Sequence, residues 1–197
     1  MALKPDQPPG ATPLDPDEIA GLVPAAVTTQ EQLNLWESEN ILAAEAWVAG
    51  LRRMDVLDDV FIRTLHRRMF DRTWRWAGTF RTTEKNIGIA PEEIAPALRN
   101  LLEDVRVQVA TNAMPPDEIA ARFHHRLTRI HPFANGNGRH ARMVTDLLLR
   151  QMGAEPLAWG RGDLVHAGDE RTAYVAALRA ADARDFAPLF AFLGVPR

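Results

Sequence analysis

Downstream of residue 28, apolar side chains return every three or four positions, the period of helices with one buried face. Leu33, Trp36, Asn40, Ile41, Ala44 and Trp47 mark the first such helix. Thr28 or Thr29 caps it, Glu31 lies in its first turn and Gly50 terminates it. A second runs from about Leu57 to Phe70, turning Val60, Ile62, Leu65, Met69 and Phe70 inward and Arg63, Arg67 and Arg68 outward. Pro91 opens a third, carrying Ile94, Leu98, Leu101, Leu102, Val105 and Val109. Pro115-Pro116-Asp117 starts a fourth, with Ile119, Ala120, Phe123, Leu127 and Ile130 on one face. It ends at His131, because Pro132 disfavours helical geometry in the residue before it. Arg139 to Gln151 reads as a fifth helix, stopped by Gly153. Two closing helices follow, at about 169–182 and 185–193.

Two stretches break this period. Thr79-Phe80-Arg81-Thr82-Thr83 is β-favouring, Glu84-Lys85-Asn86 is turn-like and Ile87-Gly88-Ile89 extends again, which predicts a short β-hairpin or flap. Residues 1–24 hold six of the fourteen prolines and few large apolar side chains, too few to offset the entropy of ordering. Residues 1–28 therefore read as an extended arm, pinned at most through Leu14, Ile19 and Leu22, and 29–197 as one domain. Residues 154–167 read as a loop. The expected fold class is an all-α helical bundle with one small β-hairpin flap.

Composition narrows the chemistry. The 197 residues suit one compact domain, 46% apolar and 25% charged. A formal net charge of −3 gives no whole-molecule electrostatic footprint for nucleic acid. The local cluster Arg67, Arg68, Arg72 and Arg75 leaves room for a nucleic-acid or acidic-partner surface, although such a cluster is usually a solvated face. There is no cysteine, which removes disulfides, thiolate metal sites and cysteine nucleophiles. The first residues lack the apolar run of a signal peptide, and no stretch approaches the ~20 apolar residues that span a bilayer. A cytoplasmic protein is the expectation. Neighbouring His124 and His125 point about 100° apart on a helix and do not share one ion easily. His66, His124 and His125 therefore read as structural, whereas His140 stands either beside a ligand or on the surface. Trp36 and Trp47 read as core.

The chemistry concentrates at residues 131–142, His-Pro-Phe-Ala-Asn-Gly-Asn-Gly-Arg-His-Ala-Arg. Gly136 and Gly138 permit backbone conformations closed to other residues and expose N–H groups to one point, where a helix begins with its positive dipole end. Arg139 and Arg142 share a helical face there and can grip phosphate oxygens in pairs. Asn137 can donate an amide to a phosphate without adding charge. His131 is the natural base, since imidazole titrates near neutrality and can take a proton from a hydroxyl that attacks phosphorus. Phe133 anchors the loop from inside. The absence of Gly-Lys-Ser/Thr excludes a Walker A loop.

This segment resembles the signature of the Fic family, His-Pro-Phe-x-Asp/Glu-Gly-Asn-Gly-Arg-x-x-Arg, at His131, Pro132, Phe133, Gly136, Asn137, Gly138, Arg139 and Arg142. The resemblance extends over roughly residues 30–193, through Trp76-Ala77-Gly78-Thr79-Phe80-Arg81 and the closing Tyr174, Leu178, Asp185, Pro188 and Leu189. Thr12 to Pro16, Phe123-His124-His125-Arg126-Leu127 and Asn135 to Arg142 are similar to the branch called mobile mystery protein B. The resemblance implies a Fic fold that transfers AMP from ATP to a Ser, Thr or Tyr hydroxyl of a target protein. It further implies His131 as base, Gly136, Asn137, Gly138 and Arg139 as cradle of the α- and β-phosphates, and Arg142 on the γ-phosphate. Arg81, Thr82, Asn86, Ile87 and Gly88 would lie in a flap that clamps the target by strand addition.

Asn135 departs from the pattern. The family carries a carboxylate there that binds Mg²⁺, whereas an amide offers a hard cation one oxygen and no charge. Three outcomes stand open: a weaker AMP transferase, an enzyme using another phosphate-containing donor, or a toxin-like nucleotide-binding module. Many Fic proteins also carry an inhibitory Ser/Thr-x-x-x-Glu-Gly/Asn helix. Glu39-Asn40 fits its end, with Leu35 at the hydroxyl position, so Glu39 is the candidate partner of Arg142. The branch implies a helix-turn-helix partner protein encoded nearby.

Overall fold

The computed structural model describes residues 12–160, 164 and 168–196. The first eleven residues of the arm, and most of 161–167 in the expected loop, lie outside the described residues. Eight α-helices follow in order: α1 Pro16–Ile19, α2 Gln30–Ala49, α3 Asp59–Phe70, α4 Ile94–Ala110, α5 Pro116–Ile130, α6 Asn137–Gln151, α7 Asp169–Asp182 and α8 Ala187–Leu193, with a 3-10 turn at Pro91–Glu93. The periodic stretches thus became helices nearly where the pattern placed them. Thr29 caps α2 by accepting from Gln32 N–H at 3.2 Å, and the Gln32 side chain reaches back to Thr29 N–H at 3.2 Å. Asp58 caps α3 through Val60 N–H at 3.1 Å.

α5 and α6 pack along each other at the centre, with α3 against α6, α2 against α3 and α4 against α5; α7 and α8 close the far side. Two apolar clusters result. The larger joins Leu33, Ile62, Phe70, Leu98, Phe123, Phe133, Val144 and Leu148, and the smaller joins Ala121, Leu149, Ala177, Leu189 and Leu193. α5 faces both, so its C-terminus and the start of α6 are held from two sides. Not every apolar position turned inward: Trp36 is 40% exposed and Val60 62%. No helix among the described residues is long and apolar enough to cross a membrane.

The expected β-hairpin flap does not form. Among the described residues there is no strand, only a lone antiparallel bridge between Leu22 and Trp74. Residues 79–90 are irregular because the buried Arg81 organises them. Its guanidinium donates to the carbonyls of Thr83 at 2.9 Å, of Ile89, and of His131 at 2.8 Å, while its own N–H donates to Pro132 at 3.0 Å. Carbonyls that a hairpin would turn across to its partner strand are turned to one cation instead. Gly88, at φ +113°, packs against His131 with no room for a Cβ, which would lie 2.8 Å from that of His131. The segment offers no strand edge for a target to extend.

Three histidines are sealed in this core. His140, far from the surface reading, is buried and its Nε2 bonds the Ile62 carbonyl at 2.9 Å. Burial holds His140 at about 4 and His124 at about 3, and pushes His66 down as well. Below the ordinary value of 6.5 the unfolded chain therefore binds protons that the folded chain refuses. Stability is full above that pH and is lost as pH falls toward the folded values. At pH 5 the expected loss is about 2 kcal/mol for each of His124 and His140. Urea midpoints recorded between pH 7 and 5 check this; a flat midpoint contradicts it.

Candidate active site

The end of α5 and the start of α6 build the site. His131 leaves α5 in the left-handed conformation, φ 53° and ψ 60°, which turns the chain sharply into Pro132. The loop that follows is pinned from inside. Phe133 is fully buried, stacked on His66 at 3.7 Å and edge-on to His140 at 5.2 Å. An anchor of this kind is worth about 3–5 kcal/mol against alanine. Asn137 reaches back to the same residue, its Oδ1 accepting from Phe133 N–H at 2.9 Å and its Nδ2 donating to the Phe133 carbonyl at 2.7 Å. The Asn137 amide is thus committed to the loop, and what it offers a ligand is its backbone N–H. His66 closes the other flank: Nδ1 accepts from Gly78 N–H at 3.0 Å, so Nε2 carries the proton and donates to the Asn135 carbonyl at 3.0 Å.

Gly136 begins α6 at φ +77°, and a Cβ there would strike the Phe70 ring at 2.6 Å. Gly138 is different: it is helical, and a Cβ would meet only Arg142 Nη1 at 3.8 Å. Its missing side chain leaves the cradle floor open rather than permitting a special conformation. The first-turn amides of Asn137, Gly138 and Arg139 have no acceptor within the helix. They floor a cavity of about 680 Å³, within the range that holds a ligand of nucleotide size. Arg129, Arg139, Arg142, Arg171 and Arg179 line it, against the carboxylates Glu37 and Asp182. The arrangement selects a polyanion.

Both motif arginines are held from behind. Arg139 pairs with Glu37 at 2.7 Å and lies over the Phe70 ring at 5.0 Å. Arg142 donates to Tyr174, whose hydroxyl lies 2.7 Å from His124 Nε2. His124 Nδ1 in turn meets Thr145 Oγ1 at 3.3 Å, and Thr145 donates to the Ala141 carbonyl at 2.7 Å. Burial pushes the Tyr174 phenol up to about 12, so it remains a hydroxyl that orients Arg142.

His131 sits at the cavity rim. Its Nδ1 faces the Thr128 carbonyl at 3.3 Å, which only accepts, so the ring proton resides on Nδ1. Nε2 is therefore the free lone pair, and it accepts from Thr12 Oγ1 at 2.7 Å. Burial lowers His131 to about 4, with Arg81 and Lys85 adding repulsion and the Thr128 carbonyl opposing. The ring is neutral at physiological pH, the state a base requires.

The sequence-derived residues divide accordingly. His131, Asn135, Gly136, Asn137, Gly138, Arg139 and Arg142 all line the one cavity, with Asn86, Ile87 and Gly88 on its rim. Thr82 is exposed, and Arg81 is buried as the organiser of its own segment. Glu39 is exposed on α2. The carboxylate that reaches the cradle from that helix is Glu37, which also accepts from Trp74 Nε1 at 2.8 Å. Neither Glu37 nor Thr12 is given a place in the site by the sequence, although Thr12 opens the Thr12 to Pro16 stretch that carries a family resemblance. Glu37 had a signal, lying four residues after Leu33 and three before Asn40 on the inward face; nothing but that stretch and its hydroxyl marked Thr12. No group of three His, Cys, Asp or Glu among the described residues is placed to hold a metal ion. Asn135 offers one neutral oxygen, already accepting from Gly136 N–H at 2.6 Å, so the donor set does not fit a divalent cation.

Known proteins are similar to this chain in sequence and fold. Residues 56–149 match the model of the Fic/DOC family. The protein adenylyltransferase fic-1 of Caenorhabditis briggsae is 31% identical over 121 residues, 59% of this chain and 22% of that protein. The protein adenylyltransferase Fic of Nematostella vectensis is 29% identical over 154 residues, 76% of this chain and 32% of its own length. The chain thus spans a third or less of these curated relatives. Among solved structures, Fic-1 (residues 134–508) of C. elegans superposes with a TM-score of 0.67 at 24% identity, covering 89% of this chain and 51% of that one. The BepC protein of Bartonella tribocorum, solved with bound AMPPNP, gives 0.66 at 17% identity, covering 86% and 88%. The chain thus has the all-α fold of these solved structures, and its residues 56–149 match the model of the Fic/DOC family.

Proposed function

We propose that this site transfers AMP from ATP to a Ser, Thr or Tyr hydroxyl of a protein, with His131 as general base. One observation carries the reading: a neutral histidine with its Nε2 lone pair presented at the rim of a cavity whose floor is a helix N-terminus flanked by Arg139 and Arg142. The acceptor hydroxyl gives its proton to Nε2 while its oxygen attacks the α-phosphorus. The bond from that phosphorus to the bridging oxygen breaks, and pyrophosphate leaves. The α6 amides and the two arginines hold the phosphates and meet the charge that develops, which is most of what phosphoryl-type transfer asks of a protein. The names of the curated relatives support an adenylyl donor. Asn135 favours a second reading, a different phosphate-containing donor or a toxin-like nucleotide-binding module. Incubation with ATP and Mg²⁺ or Mn²⁺ in the presence of a cell lysate, followed by mass analysis, separates them. AMP on protein is expected; a phosphate gain, or nucleotide bound without any transfer, overturns the reading.

The cradle makes its own prediction. Gly138→Ala keeps or raises helix stability, by about 0.5–1 kcal/mol, but puts a methyl where a phosphate would lie. Calorimetry should show affinity for a non-hydrolysable ATP analogue lowered roughly tenfold or more, a loss of about 1.4 kcal/mol. Unchanged affinity would mean the phosphates sit elsewhere. The division into an arm at 1–28 and a Fic domain at 29–197, membership of the mobile mystery protein B branch, a helix-turn-helix partner and a cytoplasmic setting belong to the same proposal and rest on the sequence.

A further inference from the structure

The adenylyltransferase reading leaves the acceptor unnamed, and the chain itself supplies one. Thr12 Oγ1 lies 2.7 Å from His131 Nε2, at the position an acceptor hydroxyl must take to lose its proton. The Nδ1 proton faces Thr128, so at this contact the threonine is the donor and the histidine the acceptor. The contact is not incidental to a loose segment. Lys85, whose side chain is only 2% exposed, binds the Pro13 carbonyl at 3.1 Å, Asp15 Oδ2 at 2.7 Å and Glu18 Oε2 at 2.6 Å. Thr83 Oγ1 donates to the same Asp15 oxygen at 2.9 Å, and Leu14 packs on the main core. Farther along, Trp76 Nε1 donates to the Glu18 carbonyl at 3.0 Å. Residues 12–18 are thus gripped by residues 76–85, the stretch that also positions His131 through Arg81. Thr12 lines the same cavity as the phosphate cradle and His131.

We propose that Thr12 is a modification site of this protein, adenylylated in cis by His131. The proposal rests on the adenylyltransferase reading of the site. Thr12 Oγ1 attacks the α-phosphorus of a bound nucleoside triphosphate, its proton passes to His131 Nε2, one O–P bond forms and one breaks, and pyrophosphate departs. The product is a phosphodiester joining Thr12 to the nucleoside.

The test incubates the full-length protein with ATP and Mn²⁺ or Mg²⁺, with a lysate arm in parallel, and maps the modified residue by peptide mass. The expected result is AMP on Thr12, retained in Thr12→Ser and absent from Thr12→Val and His131→Ala, with urea midpoints showing that each variant is folded. The fraction modified per unit time should be the same after tenfold dilution, as an intramolecular step requires. Lysate proteins labelled by wild type while Thr12 stays bare would overturn the proposal and leave the adenylyltransferase reading standing. A rate proportional to protein concentration would overturn the cis assignment. No AMP on any protein in either arm would overturn both.

Discussion

If the site adenylylates protein as proposed, His131→Ala is expected to lower AMP transfer about a hundred- to ten-thousandfold in rate, the usual contribution of a general base. The size follows from geometry. Nε2 presents its lone pair to the Thr12 hydroxyl at 2.7 Å, and Arg81, which holds the His131 carbonyl at 2.8 Å, cannot take a proton. His131→Asn is the companion variant, because asparagine tolerates the left-handed backbone at φ 53° and keeps the turn. It should be as inactive as alanine while binding nucleotide as wild type does. The same residue sets the pH response. Burial lowers the folded histidine to about 4, so kcat/KM should stay flat through the ordinary value of 6.5 and fall only as pH approaches 4. An acid limb centred near 6.5 would mean that the titrating base is another group.

On the same proposal, Asn135→Asp is expected to raise Mg²⁺-dependent transfer by roughly tenfold, since affinity for a hard cation scales with ligand charge. The structure gives reason to expect that the change is tolerated. The side-chain oxygen at 135 accepts from Gly136 N–H at 2.6 Å, and a carboxylate can keep that bond while turning its second oxygen to the cavity. Other carboxylates do not supply the charge: Glu37 is occupied by Arg139 at 2.7 Å and Trp74 at 2.8 Å, and Asp182 lies beside His125 at 3.0 Å. Transfer rates titrated against Mg²⁺ for both proteins check this. Equal or lower activity in the aspartate variant contradicts the account of position 135.

Much of the bundle was written in local pattern. The inward rows of α4 and α5 were read directly, and so was the stop at His131, because Pro132 acts on its neighbour's backbone. α6 began at Asn137, two residues earlier than expected, because Gly136 takes φ +77° and lets the helix start at once. Residues 79–90 defeated local reading. Thr82, Thr83, Ile87 and Ile89 favour strand, but the guanidinium of Arg81 collects carbonyls from Thr83 to His131, a tertiary contact no window reveals. Asn137 was read as a phosphate donor, and the short reach to Phe133 claimed it first. The contact between Thr12 and His131 was hidden most deeply: the two are 119 residues apart, and the arm between prolines carries no period. Local propensity places helices and turns, and packing decides which polar groups face the cavity.

The adenylyltransferase proposal makes the α-phosphorus of ATP the point of attack. Parallel reactions with ATP labelled at the α-phosphate and at the γ-phosphate, analysed for label on protein, test it most directly. The α label is expected on protein, the γ label in the released pyrophosphate, and neither on protein with His131→Ala. Label from the γ-phosphate on protein, or α label that persists in His131→Ala, would contradict it.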